Sequence, residues 1–188
     1  MLKKLFKKEE KVLETPHFES LKDYDVVIHI GAPKTGSSAL QKFFLENRKS
    51  LEKEGIYYPE HGLDQNGISG GHSNFGLAIS KEQLDEAKKI FENYINEANS
   101  RECKLLLSAE SLFIYHEKLK LVTKEYKCKI VVFFRDPIES IFSNYNQGVK
   151  RNFQTLDINT FCSNLLDQKN NMFSGNIFEK WCDVFDKK

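Results

Sequence analysis

The amino-acid sequence predicts an α/β fold in three layers, a central parallel sheet flanked by helices, and three observations carry that reading. Short, mostly apolar runs recur at 25–30, 104–108 and 128–134, and the Val-Val-Ile-His-Ile of the first has no polar alternation. A strand without a polar face is covered on both sides, as a parallel strand between helical layers is. Between the runs lie stretches with apolar residues at helical spacing, and strand-helix-strand units of this kind close with right-handed crossovers. The first run also ends in a glycine-bounded turn that opens directly into a helical pattern, GAPKTGSSALQKFF at 31–44. That junction lies at the sheet edge where parallel folds bind their ligands.

Residues 1–24 read as a polar lead-in to a domain at 25–188. After the first strand a helix is expected over 37–54, with Leu40, Phe43, Phe44, Asn47 and Leu51 at helical spacing and Gly55 as its stop. Residues 55–59, GIYYP, suit a short edge strand or extended turn, because Pro59 forbids anything longer. Residues 60–75 are rich in Gly, His, Asn and Ser, and so long a loop in a compact domain is usually functional or disordered. Ser80 and Gln83 form a capping-box pattern for a helix reaching about residue 100, with Leu84, Ala87, Phe91, Tyr94, Ile95 and Ala98 on one face. The strand at 104–108 leads to a helix over 117–126 and then to the strand at 128–134. There Asp136 suits an N-cap, Pro137 the first helical position, and Glu139 the reciprocal cap, while Ile138, Ile141, Phe142, Tyr145 and Val149 line one helical face. Two further helices are expected over 157–169 and 175–186.

At 188 residues, 40% hydrophobic and 12% aromatic, the chain suits one globular domain with a sizeable core. A formal charge of +1 provides no field for a nucleic-acid partner, so any anion site must be local. The cysteines, Cys103, Cys128, Cys162 and Cys182, show neither a C-x-x-C pair nor zinc-ligand spacing. They are expected as reduced, mostly buried thiols. No apolar stretch approaches the roughly 20 residues that span a bilayer, and MLKKLFKKEEKVL is too charged for a signal peptide, so the chain is expected in the cytoplasm. Leu2, Leu5 and Phe6 offer at most a weak peripheral contact with an anionic membrane, the alternative being a solvated terminus.

The turn at 31–38 has the parts of an anion site. Gly31 and Gly36 admit close backbone approach, the helix N-terminus after them offers free amides and a favourable dipole, and Lys34 adds a mobile charge. It is not a Walker A loop, because Ser37 and Ser38 follow the second glycine where lysine and then a hydroxyl residue are required. The order Pro-Lys-Thr-Gly-Ser-Ser-Ala-Leu instead resembles the 5′-phosphosulfate loop of sulfotransferases that use 3′-phosphoadenosine 5′-phosphosulfate (PAPS). That resemblance implies that Lys34 contacts the phosphosulfate while Thr35, Gly36, Ser37 and Ser38 wrap the 5′-phosphate.

A second motif follows the strand at 128–134, where FRDPIESIFSNY resembles the 3′-phosphate motif of the same family. The resemblance implies that Arg135, at a strand end, and Ser143, on the next helix, hold the 3′-phosphate of PAPS. Eight positions separate them, roughly 12 Å along a helix axis, so a nucleotide bound by both must lie alongside that helix.

The resemblance covers about residues 25–185 and is nearer to the carbohydrate-sulfating branch, of bacterial type, than to the small-molecule cytosolic branch, whose adenine-stacking tryptophan is replaced here by Ala39. It implies a P-loop-like sulfotransferase fold and transfer of a sulfuryl group from PAPS to a hydroxyl or amine of a carbohydrate or glycolipid, leaving 3′,5′-ADP without a metal. Relatives commonly continue with another strand and a segment covering the nucleotide, so the chain is expected to lack that C-terminal strand and lid.

Sulfuryl transfer also needs a base within hydrogen-bond reach of the acceptor. Glu110, just beyond the strand at 104–108, and His72, in the glycine-rich loop, are the two candidates. His29, inside the first strand, reads as a hydrogen-bonded core residue, and His61 and His116 give no signal. The competing readings are a nucleotide-binding module without catalysis and a nucleotide kinase or NTPase. The latter needs a Walker lysine and a magnesium-binding aspartate, whereas Asp136 reads as a cap.

Overall fold

A computed structural model describes residues 23–63, 67–167 and 174–185. Four strands, β1 (Val26–His29), β2 (Ile56–Tyr57), β3 (Lys104–Ser108) and β4 (Cys128–Val131), form a parallel sheet in the order β2-β3-β1-β4. β1 is interior, with Ile28 registered between Leu107 and Ile130 and His29 between Ser108 and Val131. Val26, Ile28 and Ile30 are fully buried, as expected of a run with no polar alternation.

The helices are α1 (Ser37–Glu46), α2 (Arg48–Lys53), α3 (Ser73–Ser80), α4 (Leu84–Asn99), α5 (His116–Thr123), α6 (Pro137–Lys150), α7 (Ile158–Asp167) and α8 (Ser174–Phe185), with a 3-10 turn at Glu110–Leu112. On α4, Ala87, Phe91, Ile95 and Ala98 are buried, and the Phe91 ring stacks on Phe75 at 5.9 Å between centroids. On the α8 side, Trp181 is buried and its Nε1 donates to the Phe113 carbonyl at 2.8 Å.

Several expectations are corrected by packing. The helix expected over 37–54 is two helices, interrupted at Asn47, whose Nδ2 donates to the Phe43 carbonyl at 2.8 Å and competes with the helical ladder. Gly55, at φ 74°, ends the second one. Part of the loop expected at 60–75 is helical, since α3 begins at Ser73 and buries Phe75, Ala78 and Ile79. Ser80 closes α3 by donating its Oγ to the Leu77 carbonyl at 2.9 Å, and Gln83 caps α4 without a side-chain bond, so the Ser80 capping box does not form.

β4 stops at Val131, short of the expected 134, because its partner β1 ends at His29. Phe133 and Phe134 beyond it are exposed. Asp136 caps α6 as expected, its Oδ1 accepting the Ile138 and Glu139 amides at 2.9 and 3.1 Å. Glu139 does not complete a reciprocal cap; its carboxylate accepts Arg135 Nε at 2.9 Å. The apolar face expected on α6 is only partly covered: Ile141 and Tyr145 are half-buried, but Ile138 and Phe142 are exposed at 78% and 56%. The four thiols are reduced and half-buried, less enclosed than expected.

Among the described residues no helix is long and apolar enough to cross a membrane. Leu2, Leu5 and Phe6 lie outside the described residues.

Candidate active site

The site grows from the end of β1. The chain turns at Gly31, φ 49°, where a Cβ would lie 3.3 Å from Ser37 Cβ and 3.5 Å from Glu110 Cα. A side chain there would press apart the loop, α1 and the end of β3, which explains the glycine. Thr35 Oγ1 donates to the Ala32 carbonyl at 2.7 Å and closes the loop on itself. Gly36, at φ 87°, occupies the N-cap of α1 and no side chain caps the helix, so its first amides have no side-chain acceptor. That is the arrangement in which helix N-termini take anions.

Lys34 adopts φ 66°, unusual for a residue with a side chain, at the crest of this loop. Burial lowers its pKa, the Glu110 carboxylate opposes that, and the Arg151 guanidinium lowers it further. Glu110 and Arg151 therefore each lie within electrostatic reach of Lys34. Arg135 comes from beyond β4, and its Nη1 donates to the Lys34 carbonyl at 3.3 Å while its Nε pairs with Glu139. The structure thus brings Lys34, Thr35, Gly36, Ser37, Glu110 and Arg135 to one sheet edge. Ser38 is half-buried in the first turn of α1, and Ser143 is half-buried two turns along α6 from Arg135.

Glu110 opens the 3-10 turn after β3 and is half-buried. The Ser37 hydroxyl donates to its Oε2, which fixes that oxygen beside the loop. Gly76 lets α3 lie against the same turn, since a Cβ there would overlap the Ser111 hydroxyl.

His72 differs in character. It is fully buried, its Nε2 bonds the Pro59 carbonyl at 3.1 Å, and its Nδ1 accepts the Ser108 amide at 3.0 Å. Burial lowers its pKa to about 4, with the nearby His61 acting in the same direction. Both ring nitrogens bond backbone groups, and through them His72 joins the glycine-rich loop to β3. His29 is the core residue expected: its Nδ1 bonds Ser108 Oγ at 2.8 Å and burial lowers its pKa to about 4.

Two features of the site are not legible in the sequence. Ser108 ties both histidines to the end of β3, and only its position at the end of an apolar run hints at this. Arg151, one residue past α6, joins the Lys34 environment, and nothing in the sequence sets it apart from the adjacent Lys150. Among the described residues no cluster of three or more His, Cys, Asp or Glu could hold a metal ion.

A parallel α/β domain with an uncapped helix N-terminus, a loop lysine, an arginine from the adjacent strand end and a carboxylate nearby gathers at one sheet edge the groups that can hold an anion. The sulfotransferase domain family matches the chain over residues 23–184, and the protein belongs to that family. Neither a curated protein nor a solved structure matches it significantly.

Proposed function

We propose that the protein transfers a sulfuryl group from PAPS to a hydroxyl or amine of a carbohydrate or glycolipid acceptor. The observation that carries this reading is the convergence of Lys34, Glu110 and Arg135 at one sheet edge, with Glu110 tied to Ser37 of the loop. The residues present fit the donor. The amides of 34–38 and the Lys34 ammonium suit the 5′-phosphosulfate, and Arg135 with Ser143 suits the 3′-phosphate. Asp136, the carboxylate that a kinase would direct at magnesium, instead accepts two amides of α6.

The donor supplies an activated sulfuryl group: the acceptor oxygen forms a new bond to sulfur as the bond from sulfur to the phosphate oxygen breaks, and that oxygen departs with 3′,5′-ADP. Glu110 takes the proton of the acceptor hydroxyl. Ser37 holds the Glu110 carboxylate in place for that transfer, and Lys34 with the loop amides meets the charge growing on the leaving phosphate, where a preorganised donor lowers the barrier most.

Calorimetry with 3′,5′-ADP, AMP and ATP tests the donor site. The 3′,5′-ADP must bind most tightly; equal affinity for AMP would overturn the reading, and an affinity for ATP that depends on magnesium would favour a kinase.

A further inference from the structure

We propose that the cavity between α6 and α7 holds the acceptor, that the acceptor is a polyhydroxylated molecule bearing one anionic group, and that Arg151 selects it. The inference rests on the sulfotransfer reading above and adds to it where the acceptor lies and what chemistry it carries.

The cavity measures about 260 Å³, just under the ~300 Å³ at which small-ligand pockets begin, and so suits a unit the size of one sugar ring. Asn144, Gln147, Gly148 and Arg151 contribute one wall, and their spacing of three, four and seven residues places them on a single face of α6. Phe153, Gln154 and Phe161 contribute the other.

The backbone holds these two walls together. Asn152, at φ 58°, reverses the chain, and the Phe153 and Gln154 amides both donate to the Gly148 carbonyl at 2.9 and 3.2 Å. A Cβ on Gly148 would lie 2.9 Å from Gln154 Cβ, so only glycine lets the returning segment close on the helix. Gln154 Oε1 accepts the Leu156 amide at 2.9 Å and Tyr145 donates its hydroxyl to the Leu156 carbonyl at 3.0 Å, which pins the far side.

The lining specifies the ligand. Side-chain amides both donate and accept and therefore match hydroxyl groups. Phe153 is 83% exposed beside them, an apolar ring face of the kind that covers the C–H side of a sugar. Among the described residues no carboxylate lines the cavity, and none forms an ion pair with Arg151. A cationic ligand would be repelled, a neutral one would gain nothing from the exposed guanidinium, and an anion would be met by a charge-assisted fork. Arg151 also stands within electrostatic reach of Lys34, and Gln147 follows Ser143 by one helical turn. The lining of the cavity therefore begins one helical turn from Ser143, a residue proposed to hold the donor.

The test uses the full chain saturated with 3′,5′-ADP and ligand-observed NMR with three probes: glucuronate, glucose 6-phosphate and glucose. One or both anionic sugars should bind about tenfold more tightly than glucose, the scale of a hydrogen bond to a charged group, and which one does so separates a carboxylate acceptor from a phosphorylated one. Arg151→Gln should abolish that preference while weakening 3′,5′-ADP less than Arg135→Ala does, and Gly148→Ala should weaken all sugar binding. Equal binding of the three sugars, a preference that survives Arg151→Gln, or a loss of 3′,5′-ADP affinity in Arg151→Gln as large as that in Arg135→Ala would each overturn the inference. Absence of 3′,5′-ADP binding by the unmodified protein would overturn the sulfotransfer reading and this inference with it.

Discussion

Ser37 and Glu110 stand 73 positions apart in the chain and share a hydrogen bond, hydroxyl to carboxylate, where the anion loop meets the end of β3. The bond couples the element proposed to grip the donor to the group proposed to deprotonate the acceptor, so geometry at one is transmitted to the other. Glu110→Gln keeps the shape and loses the proton acceptor. It is expected to lower kcat by roughly 10²–10⁴-fold, the usual contribution of a positioned base, with 3′,5′-ADP affinity intact. Ser37→Ala should lower kcat by less, because the carboxylate remains and only its orientation is lost. Steady-state kinetics with calorimetry on each variant checks both; full turnover in Glu110→Gln would remove Glu110 from the mechanism.

Lys34 presents a different separation of effects. Its backbone at φ 66° is as unfavourable for lysine as for alanine, so Lys34→Ala changes little in the folding free energy. In the proposed mechanism the same substitution removes a preorganised charge from the leaving phosphate, and the expected loss is about 3 kcal/mol of transition-state stabilisation, roughly a hundredfold in kcat. Urea unfolding should give an unchanged midpoint while turnover collapses. A large stability loss would make Lys34 a structural residue of the loop.

Arg135 and Ser143 should reveal themselves through the 3′-phosphate alone. A hydrogen bond to a charged group contributes about 1.5–3 kcal/mol, so Arg135→Ala should weaken 3′,5′-ADP by about ten- to a hundredfold and AMP by much less. The residual effect on AMP comes from the lost hydrogen bond to the Lys34 carbonyl. Ser143→Ala should show the same selectivity at a smaller magnitude. Titrating both nucleotides into both variants decides the matter, and parallel losses for AMP and 3′,5′-ADP would place Arg135 on the loop instead of on a 3′-phosphate.

The parts of this fold that local chemistry governs are legible in the amino-acid sequence. An interior strand with no polar face, Gly55 as a helix stop, and Asp136 with Pro137 at the start of α6 each follow from one or two residues. Glu110 and Arg135 fall at the ligand edge for the same reason, since a residue just past a buried parallel strand has nowhere else to be. What the sequence conceals depends on partners distant in the chain. Ser80 has the chemistry of a cap, but its hydroxyl bonds back into α3, because burial of Phe75 and Ile79 makes a helix of a segment whose composition reads as loop. The α6 face that carries Phe142 has helical periodicity yet little cover, and periodicity alone does not state what an apolar stripe packs against. His72, placed in a glycine-rich stretch, has the look of a mobile catalytic histidine; only the pairing of that stretch with Ser108 and Pro59 reveals a buried joint.

That joint makes the stability of the protein sensitive to acid. His29 and His72 both have folded pKa values of about 4 against an ordinary value of 6.5, chiefly because burial disfavours the imidazolium. Between those values the unfolded chain binds protons that the folded chain does not, so the stabilisation is complete above about pH 6.5 and is lost progressively as the pH falls toward 4. The loss should reach roughly 3 kcal/mol for each histidine at the acid end. His72→Ala leaves the Ser108 amide and the Pro59 carbonyl without their partner, costing about 1–3 kcal/mol per unsatisfied group, and should flatten the pH dependence by removing one of its main sources. Urea unfolding of both proteins at pH 7.5 and pH 5 measures the slope and its change. If His72→Ala instead keeps full stability and an unchanged slope while losing turnover, His72 is the base after all and Glu110 serves only to hold Ser37.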